Sequence, residues 1–404
     1  MMINRNNFMN NGNLFKLLLF ILIAGLGLRV PISYIPPMSL EIMSDLKINH
    51  SIFGIITSLS PLCFFIFSPL APYFEKRHGL RNTLILTFVI AIVAYLLRLH
   101  HSVTFLLIST VIFGFAIALG NIVLPSFFKS SPGSNIAILS AVYTASLYLG
   151  PAMATALTIP IKNIFGFSWG SVSLIWIFIP VLSILLILLL KNNKMKKKSA
   201  HYNNQESTEL IKKINPWSMS KCWFMAIYFS ALSFLFYIIT AWFPELISSY
   251  GLSDEKSAFY ASLFSLFAIP FAILTSFYIY KVKKQKIIFF INPLIVIVGV
   301  LILIFADKTF IPVAIAVMGI GSGICTGAAF LSPLLRFNHT TNITKANSMM
   351  QSIGYMIAFS GPIIAGYLHD LTHSWTMILW MIVFALGIQA ICGIVIGKNE
   401  KLDS

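Results

Sequence analysis

Twelve stretches of about 17–25 predominantly apolar residues recur along the chain, and no other feature limits its fold so strongly. They lie near 14–37, 52–74, 82–99, 104–128, 136–160 and 171–190, then near 222–248, 257–280, 287–306, 310–335, 346–368 and 374–397. Each is long enough to cross a bilayer as a helix. Lipid offers no partner to a free N–H or C=O, so only helices and closed barrels can cross it. Barrel strands alternate polar and apolar residues, whereas these runs are continuously apolar. The expected fold is therefore an all-α integral membrane protein with about twelve transmembrane helices. Composition agrees: 58% of the 404 residues are hydrophobic and 10% charged, against about 25% charged in an ordinary soluble domain. That is too little charge to cover a soluble surface, and a soluble enzyme is excluded.

The longest polar stretch, Lys191–Pro216, divides the runs six and six. Residues 1–190 are expected to form one six-helix bundle, 191–216 a basic cytoplasmic linker, and 217–404 a second bundle. Two matched halves are the plan of many secondary transporters. Local echoes support a repeat, with Gly150-Pro151 in the fifth span and Gly361-Pro362 in the eleventh. Arg5 and Lys16 before the run Leu17–Leu28 resemble a signal sequence. No small-residue cleavage site follows, so the run is expected to remain as the first helix.

Formal net charge is +16, but the basic residues fall in short loops rather than along a groove, so nucleic acid is not an expected partner. Of the 28 Lys and Arg, 22 lie on one side of the alternating spans and 5 on the other; Arg29 lies within a span. Basic residues favour cytoplasmic loops. Both termini and the linker are therefore expected in the cytoplasm, in the inner membrane of a bacterium. Cys63, Cys222, Cys325 and Cys392 are in or at the ends of apolar runs, with no close pair. They read as small hydrophobes rather than disulfides or metal ligands.

Arg29 is the leading candidate for chemistry. An arginine at a helix centre costs about 2.5–3.5 kcal/mol on insertion scales, so one that persists suggests a function. Snorkelling toward the outer surface is the alternative. Gly25 and Ser33 share its helix face, and Pro31 removes the N–H that would bond the carbonyl of Gly27. No Asp or Glu occurs in the middle of any span. A guanidinium without a carboxylate suits a small anion or an electron-rich planar solute, which it can grip with two parallel hydrogen bonds. Asn121, Tyr143, Tyr148, Tyr237 and Trp242 are candidate cavity-lining residues, with ordinary packing as the alternative for each. Arg98, near the outer end of its span, is a candidate gating charge or an interfacial anchor. His369, Asp370 and His373 invite a metal reading, but their place in an outer loop favours ordinary surface residues, and no metal or other cofactor is expected. Gly319-Ile320-Gly321-Ser322-Gly323 has no preceding strand, and no phosphate-binding loop motif occurs.

Several stretches resemble one family over nearly the whole chain. They are Gly27-Leu28-Arg29 with Pro31, Pro36 and Pro37; Tyr95-Leu96-Leu97-Arg98; the seventh-span run from Phe236 to Glu245 followed by Tyr250-Gly251-Leu252-Ser253; and Met350-Gln351-Ser352-Ile353-Gly354-Tyr355 with Gly361-Pro362 and Leu368-His369-Asp370-Leu371-Thr372. Together they are similar to the cyanate and 2-nitroimidazole permeases of the major facilitator superfamily. The resemblance implies a twelve-helix carrier with a central cavity between two bundles, working by alternating access. It brings Gln351 and Tyr355, four residues apart on one helix face, into the expected cavity. It also marks Arg77, Gly79 and Arg81 as the gating loop between the second and third spans. Where the superfamily usually has an Asp, this loop has Lys76. The expected function is secondary transport of a small anion or planar polar solute, with the lipid bilayer as surroundings and a monomer as the working unit. A proton-coupled multidrug exporter is the alternative; it would call for a membrane-embedded carboxylate.

Overall fold

A computed structural model describes residues 11–129, 136–190, 215–279, 282, 285–337, 340–398 and 400–402. Within them the chain is almost wholly helical. The first half contains α1 (Asn11–Gly27), α2 (Val30–Ser33), α3 (Ser39–Leu46), α4 (His50–Phe67), α5 (Ala71–Leu97), α6 (Val103–Lys129), α7 (Ile136–Phe165), α8 (Ser173–Trp176) and α9 (Phe178–Leu189). The second half contains α10 (Ser220–Ser248), α11 (Asp254–Tyr278), α12 (Gln285–Phe305), α13 (Ile311–Arg336), α14 (Thr340–Thr372) and α15 (Thr376–Ile396). Ten helical stretches among the described residues are long and apolar enough to cross a membrane, and the shorter run Ser173–Leu189 is also apolar. Large side chains remain exposed on the outside of the helices, such as Phe384 (72%) and Leu188 (55%). In water such a surface would aggregate, whereas in lipid it is solvated. Most of the expected linker, 191–214, lies outside the described residues.

The first span departs from expectation. Instead of one helix over 14–37, α1 stops at Gly27, and residues 28–38 hold only the single turn of α2 and a 3-10 turn at Pro36–Met38. Leu28 N–H still reaches the carbonyls of Ala24 and Gly25, but Arg29 N–H bonds Leu26 three residues back. Pro31, Pro36 and Pro37 cannot donate, and so an α-helical ladder cannot continue through them. The third span is offset by a similar local cause. Gly79, at φ 78° and ψ 161°, kinks α5, a left-handed backbone that favours glycine.

Cross-half packing joins α4 to α14 and α7 to α11. The α4–α14 contact is close: a Cβ on Gly54 would stand 2.5 Å from the Pro362 carbonyl oxygen, and one on Gly366 2.4 Å from that of His50. Small residues at such crossings let helix backbones touch, which is how helices associate where lipid removes the hydrophobic drive. Below, "outer" and "inner" name the two ends as the basic-residue asymmetry assigns them.

Candidate functional site

Between the halves lies a cavity of about 90 Å³. The first half supplies Arg29, Leu147 and Tyr148 to its wall; the second supplies Ser233, Tyr237, Thr326 and Tyr355 along with Phe229, Phe236 and Phe330. The break after Gly27 places Arg29 here, because it caps α2 rather than lying inside a continuous helix. Its charge is felt by the phenols of Tyr143, Tyr148, Tyr237 and Tyr355, with Tyr237 also within hydrogen-bonding reach. Gly150 lies against the stem of Arg29, where an added Cβ would be 2.9 Å from the arginine Cβ. Tyr355 is wedged edge-on against Phe64, Phe229 and Tyr237. No carboxylate is among the lining residues. One half-buried cation among phenols, hydroxyls and aromatic faces is a receptor for negative or electron-rich planar groups.

The expected site residues divide into those the structure gathers and those it disperses. Arg29, Tyr148, Tyr237 and Tyr355 converge on the cavity. Tyr143 and Asn121 stand beside it, with the Tyr143 hydroxyl 3.5 Å from Asn121 Oδ1. Gln351 is not on the wall; its Nε2 donates to Asn347 at 3.2 Å. Trp242 is also absent from the wall. It is fully buried nearer the outer end, donates to the Pro362 carbonyl at 3.0 Å, and packs on Phe53, His50 and Trp375.

Arg98 requires a correction. It was expected near the outer surface as an interfacial anchor or a gating charge, but it is only 3% exposed inside the first half. Its guanidinium donates to Ser109 Oγ at 3.2 Å, the Pro31 carbonyl at 3.0 Å and Thr110 Oγ1 at 3.2 Å. It also lies over the rings of Phe113 and Tyr34, at 4.5 and 5.2 Å. The proline break lets the Pro31 carbonyl be claimed from the side, and Arg98 holds the irregular segment in place. In the inner loop, exposed Arg77 donates to Tyr73 at 3.0 Å, and Arg81 to the Ile187 and Leu188 carbonyls. These bonds stay within the first half. Those described for buried Arg336, to the Ile396 carbonyl and Gln285 Oε1, stay within the second.

The closure at the outer end was not foreseen. Six hydrogen bonds cross between the halves there. His50, at the start of α4, presents Nε2 to Glu245 Oε1 at 2.7 Å and Nδ1 to Asp370 Oδ1 at 2.9 Å. The His50 backbone N–H also faces Asp370. Ser51 donates to Asp370 Oδ2 through both its N–H and its hydroxyl. Ser39 Oγ donates to Glu245 Oε2 at 2.8 Å. Two ring nitrogens facing two carboxylates favour the doubly protonated ring, in which both donate and the ring is positively charged. The one available signal was weak: acidic residues gather at the outer ends of the spans, and His50 follows Asn49, a good helix cap whose side chain indeed accepts from Ile52 N–H. Beside the closure is a vestibule of about 260 Å³ bordered by Glu41, Lys162, Glu245 and Asp254. Though larger than the cavity, it does not include Arg29 in its lining.

The family model described as Major Facilitator Superfamily matches residues 17–359. The chain is 28% identical over 389 residues to a protein of Bacillus subtilis (strain 168) named uncharacterized transporter YycB, covering 96% of this chain and 95% of that one. It is 25% identical to the 2-nitroimidazole transporter of Escherichia coli (strain K12), covering 95% and 96%. Among solved structures, a D-xylose–proton symporter superposes with a TM-score of 0.80, covering 96% of this chain and 99% of that one at 12% identity. At that identity the likeness is one of fold.

Proposed function

This chain belongs to the Major Facilitator Superfamily, and from that premise we propose that it carries a small anion or planar polar solute, such as cyanate or a nitro-substituted ring, by alternating access. It is a multi-pass membrane transporter of small molecules, not an enzyme. The observation that carries the finer reading is Arg29: a lone cation on the cavity wall, surrounded by phenols and with no carboxylate beside it. Its planar fork can donate in parallel to two oxygens, or to an oxygen and a nitrogen. Tyr237 and Ser233 add neutral donors, the Thr326 hydroxyl, which donates to the Ser322 carbonyl, adds an acceptor oxygen, and Phe229, Phe236 and Phe330 offer flat walls.

Size narrows the choice. At about 90 Å³ the cavity is smaller than the roughly 150 Å³ cavity that holds benzene. An anion of a few atoms enters as it stands, while a nitro-substituted five-membered ring requires the aromatic side chains to move aside. In this reading the two bundles work as a monomer in the bacterial inner membrane, with both termini and the 191–216 linker in the cytoplasm. A cysteine introduced at Asn204 is then labelled by an impermeant reagent only from the inside.

Counterflow of labelled cyanate, nitrate and 2-nitroimidazole into proteoliposomes tests the substrate class. Arg29→Ala should weaken substrate binding at least about thirtyfold, since truncating one partner of a desolvated charge pair costs about 2–5 kcal/mol. Arg29→Lys keeps the charge but loses the fork, so it should retain partial activity. Near-normal uptake by well-folded Arg29→Ala would overturn the anion reading.

A further inference from the structure

The sequence invited a metal reading of His369, Asp370 and His373 but favoured ordinary surface residues; the fold brings a different third residue to two of them. His50, from the opposite half of the chain, lies against His369 with ring centroids 4.2 Å apart. The ligand atoms of His50, His369 and Asp370 all lie within 4.8 Å of one another. We propose that these three residues form a binding site for a zinc-class divalent cation at the outer end, whose occupation clamps the two halves together.

Three features besides proximity support it. First, His50 already has the surroundings of a metal-bound histidine. With Nδ1 turned to Asp370, its Nε2–H is held by Glu245 Oε1 at 2.7 Å, the carboxylate–histidine arrangement that orients a ligating ring and raises its basicity. Second, the Asp370 carboxylate is fixed by the Ser51 N–H and hydroxyl on Oδ2, which leaves Oδ1 as the oxygen directed at His50 Nδ1. Third, His369 Nδ1 is buried without a hydrogen-bond partner, an arrangement that costs free energy unless something accepts or replaces its proton. His369 also packs at a tilt against Trp375, with ring centroids 4.4 Å apart, which restrains its ring.

Charge and ligand type agree. With His50 carrying its proton between Glu245 and Asp370, the cluster has a net charge of −1. Exchange of the Nδ1 proton, released to solvent, for a dication brings it to zero. Two nitrogens and one oxygen, with a fourth position left for water, suit zinc and its transition-metal neighbours rather than calcium or magnesium. Tetrahedral ligands about 2.0–2.1 Å from zinc stand roughly 3.4 Å apart, between the 2.9 Å that separates His50 Nδ1 from Asp370 Oδ1 and the 4.8 Å within which all three ligand atoms lie, so shifts of about an ångström complete the site. Because His50 belongs to α4 and the other two to α14, binding holds the outer end closed. The site does not depend on which solute the central cavity takes.

The test uses the purified full chain in detergent, stripped with EDTA and melted with and without Zn²⁺. Zn²⁺ at a hundredfold excess over Kd should raise the melting temperature by on the order of 5 °C. The rise should vanish in His369→Ala and in Asp370→Asn, each compared with its own metal-free melt, and persist in His373→Ala. If one variant fails to fold, the other decides. In vesicles, Zn²⁺ should also slow labelling of a Ser233→Cys cavity residue by an impermeant maleimide added outside. No rise in the parent protein, an equal rise with Ca²⁺, or a rise that survives both substitutions overturns the site. Unchanged labelling overturns the clamp.

Discussion

The outer end and the centre of this molecule treat charge in opposite ways. At the outer end, His50 faces Glu245 and Asp370, Lys162 pairs with Glu41, His101 with Asp45, and Arg98 is surrounded by three oxygens and two rings. At the centre, Arg29 faces neutral phenols. A charge whose partners are built into the protein holds structure together, and removing one partner leaves the other uncompensated. A charge without a built-in counter-ion can receive one from a ligand. The contrast teaches that the same residue type is a fastener in one place and a receptor in the other, and that its partners decide which.

The harshest way to break the comparison is at the Gly54–Pro362 contact. Gly54→Leu forces side-chain atoms into backbone only 2.5 Å from the Cβ position, so the outer closure cannot form. Counterflow should fall to background, while outside labelling of Ser233→Cys rises. Persistent turnover would mean that the closure is dispensable.

A smaller effect sharpens the contrast between the two arginines. Arg98→Met removes three hydrogen bonds from a buried cation and should lower stability by about 3 kcal/mol, since bonds to charged groups are worth about 1.5–3 kcal/mol. The molecules that remain folded should keep their substrate KM. Arg29→Met should do the reverse: melting unchanged or raised, substrate binding lost. Equal melting losses for the two variants would erase the distinction. Smaller again is Tyr237→Phe, which removes one neutral donor from the cavity. About 1 kcal/mol, or roughly a fivefold rise in KM, is expected. Replacing Lys196, Lys197 and Lys198 by Gln should leave KM unchanged if the linker is cytoplasmic as proposed, because a lysine beside an anionic leaflet contributes only about 1 kcal/mol of attraction to lipid. A tenfold change would bring the linker into the binding path.

What could be read from the chain follows from how far each interaction reaches along it. The spans were legible because apolar length is a local property, and Arg29 because a charge in an apolar run stands out. Face was legible but depth was not. Gln351 and Tyr355 do share a face, yet at 1.5 Å per residue they stand about 6 Å apart along the helix, and only Tyr355 reaches the cavity. Trp242 is likewise about 7.5 Å from Tyr237, one level nearer the outer end. Prolines 31, 36 and 37 announced an irregular segment, but a continuous span was expected through 37, because apolar residues fill the turns as well as the helix. Arg98 was misplaced since its partners, two hydroxyls and a carbonyl, carry no pattern in sequence. His50 escaped notice because its partners stand 195 and 320 positions away. Only the fold brings them together.

The bridging position of His50 has a mechanical consequence. One ring is bonded to Glu245 on α10 and to Asp370 on α14, and those helices are joined again where Trp242 meets the Pro362 carbonyl. Such a linkage removes a degree of freedom. Either helix swinging away from α4 by itself would break its bond to His50 and pull on the Trp242–Pro362 contact, so a half-open outer end is disfavoured. Its opening is a single coordinated stroke, closer to the turning of a key than to the parting of a curtain.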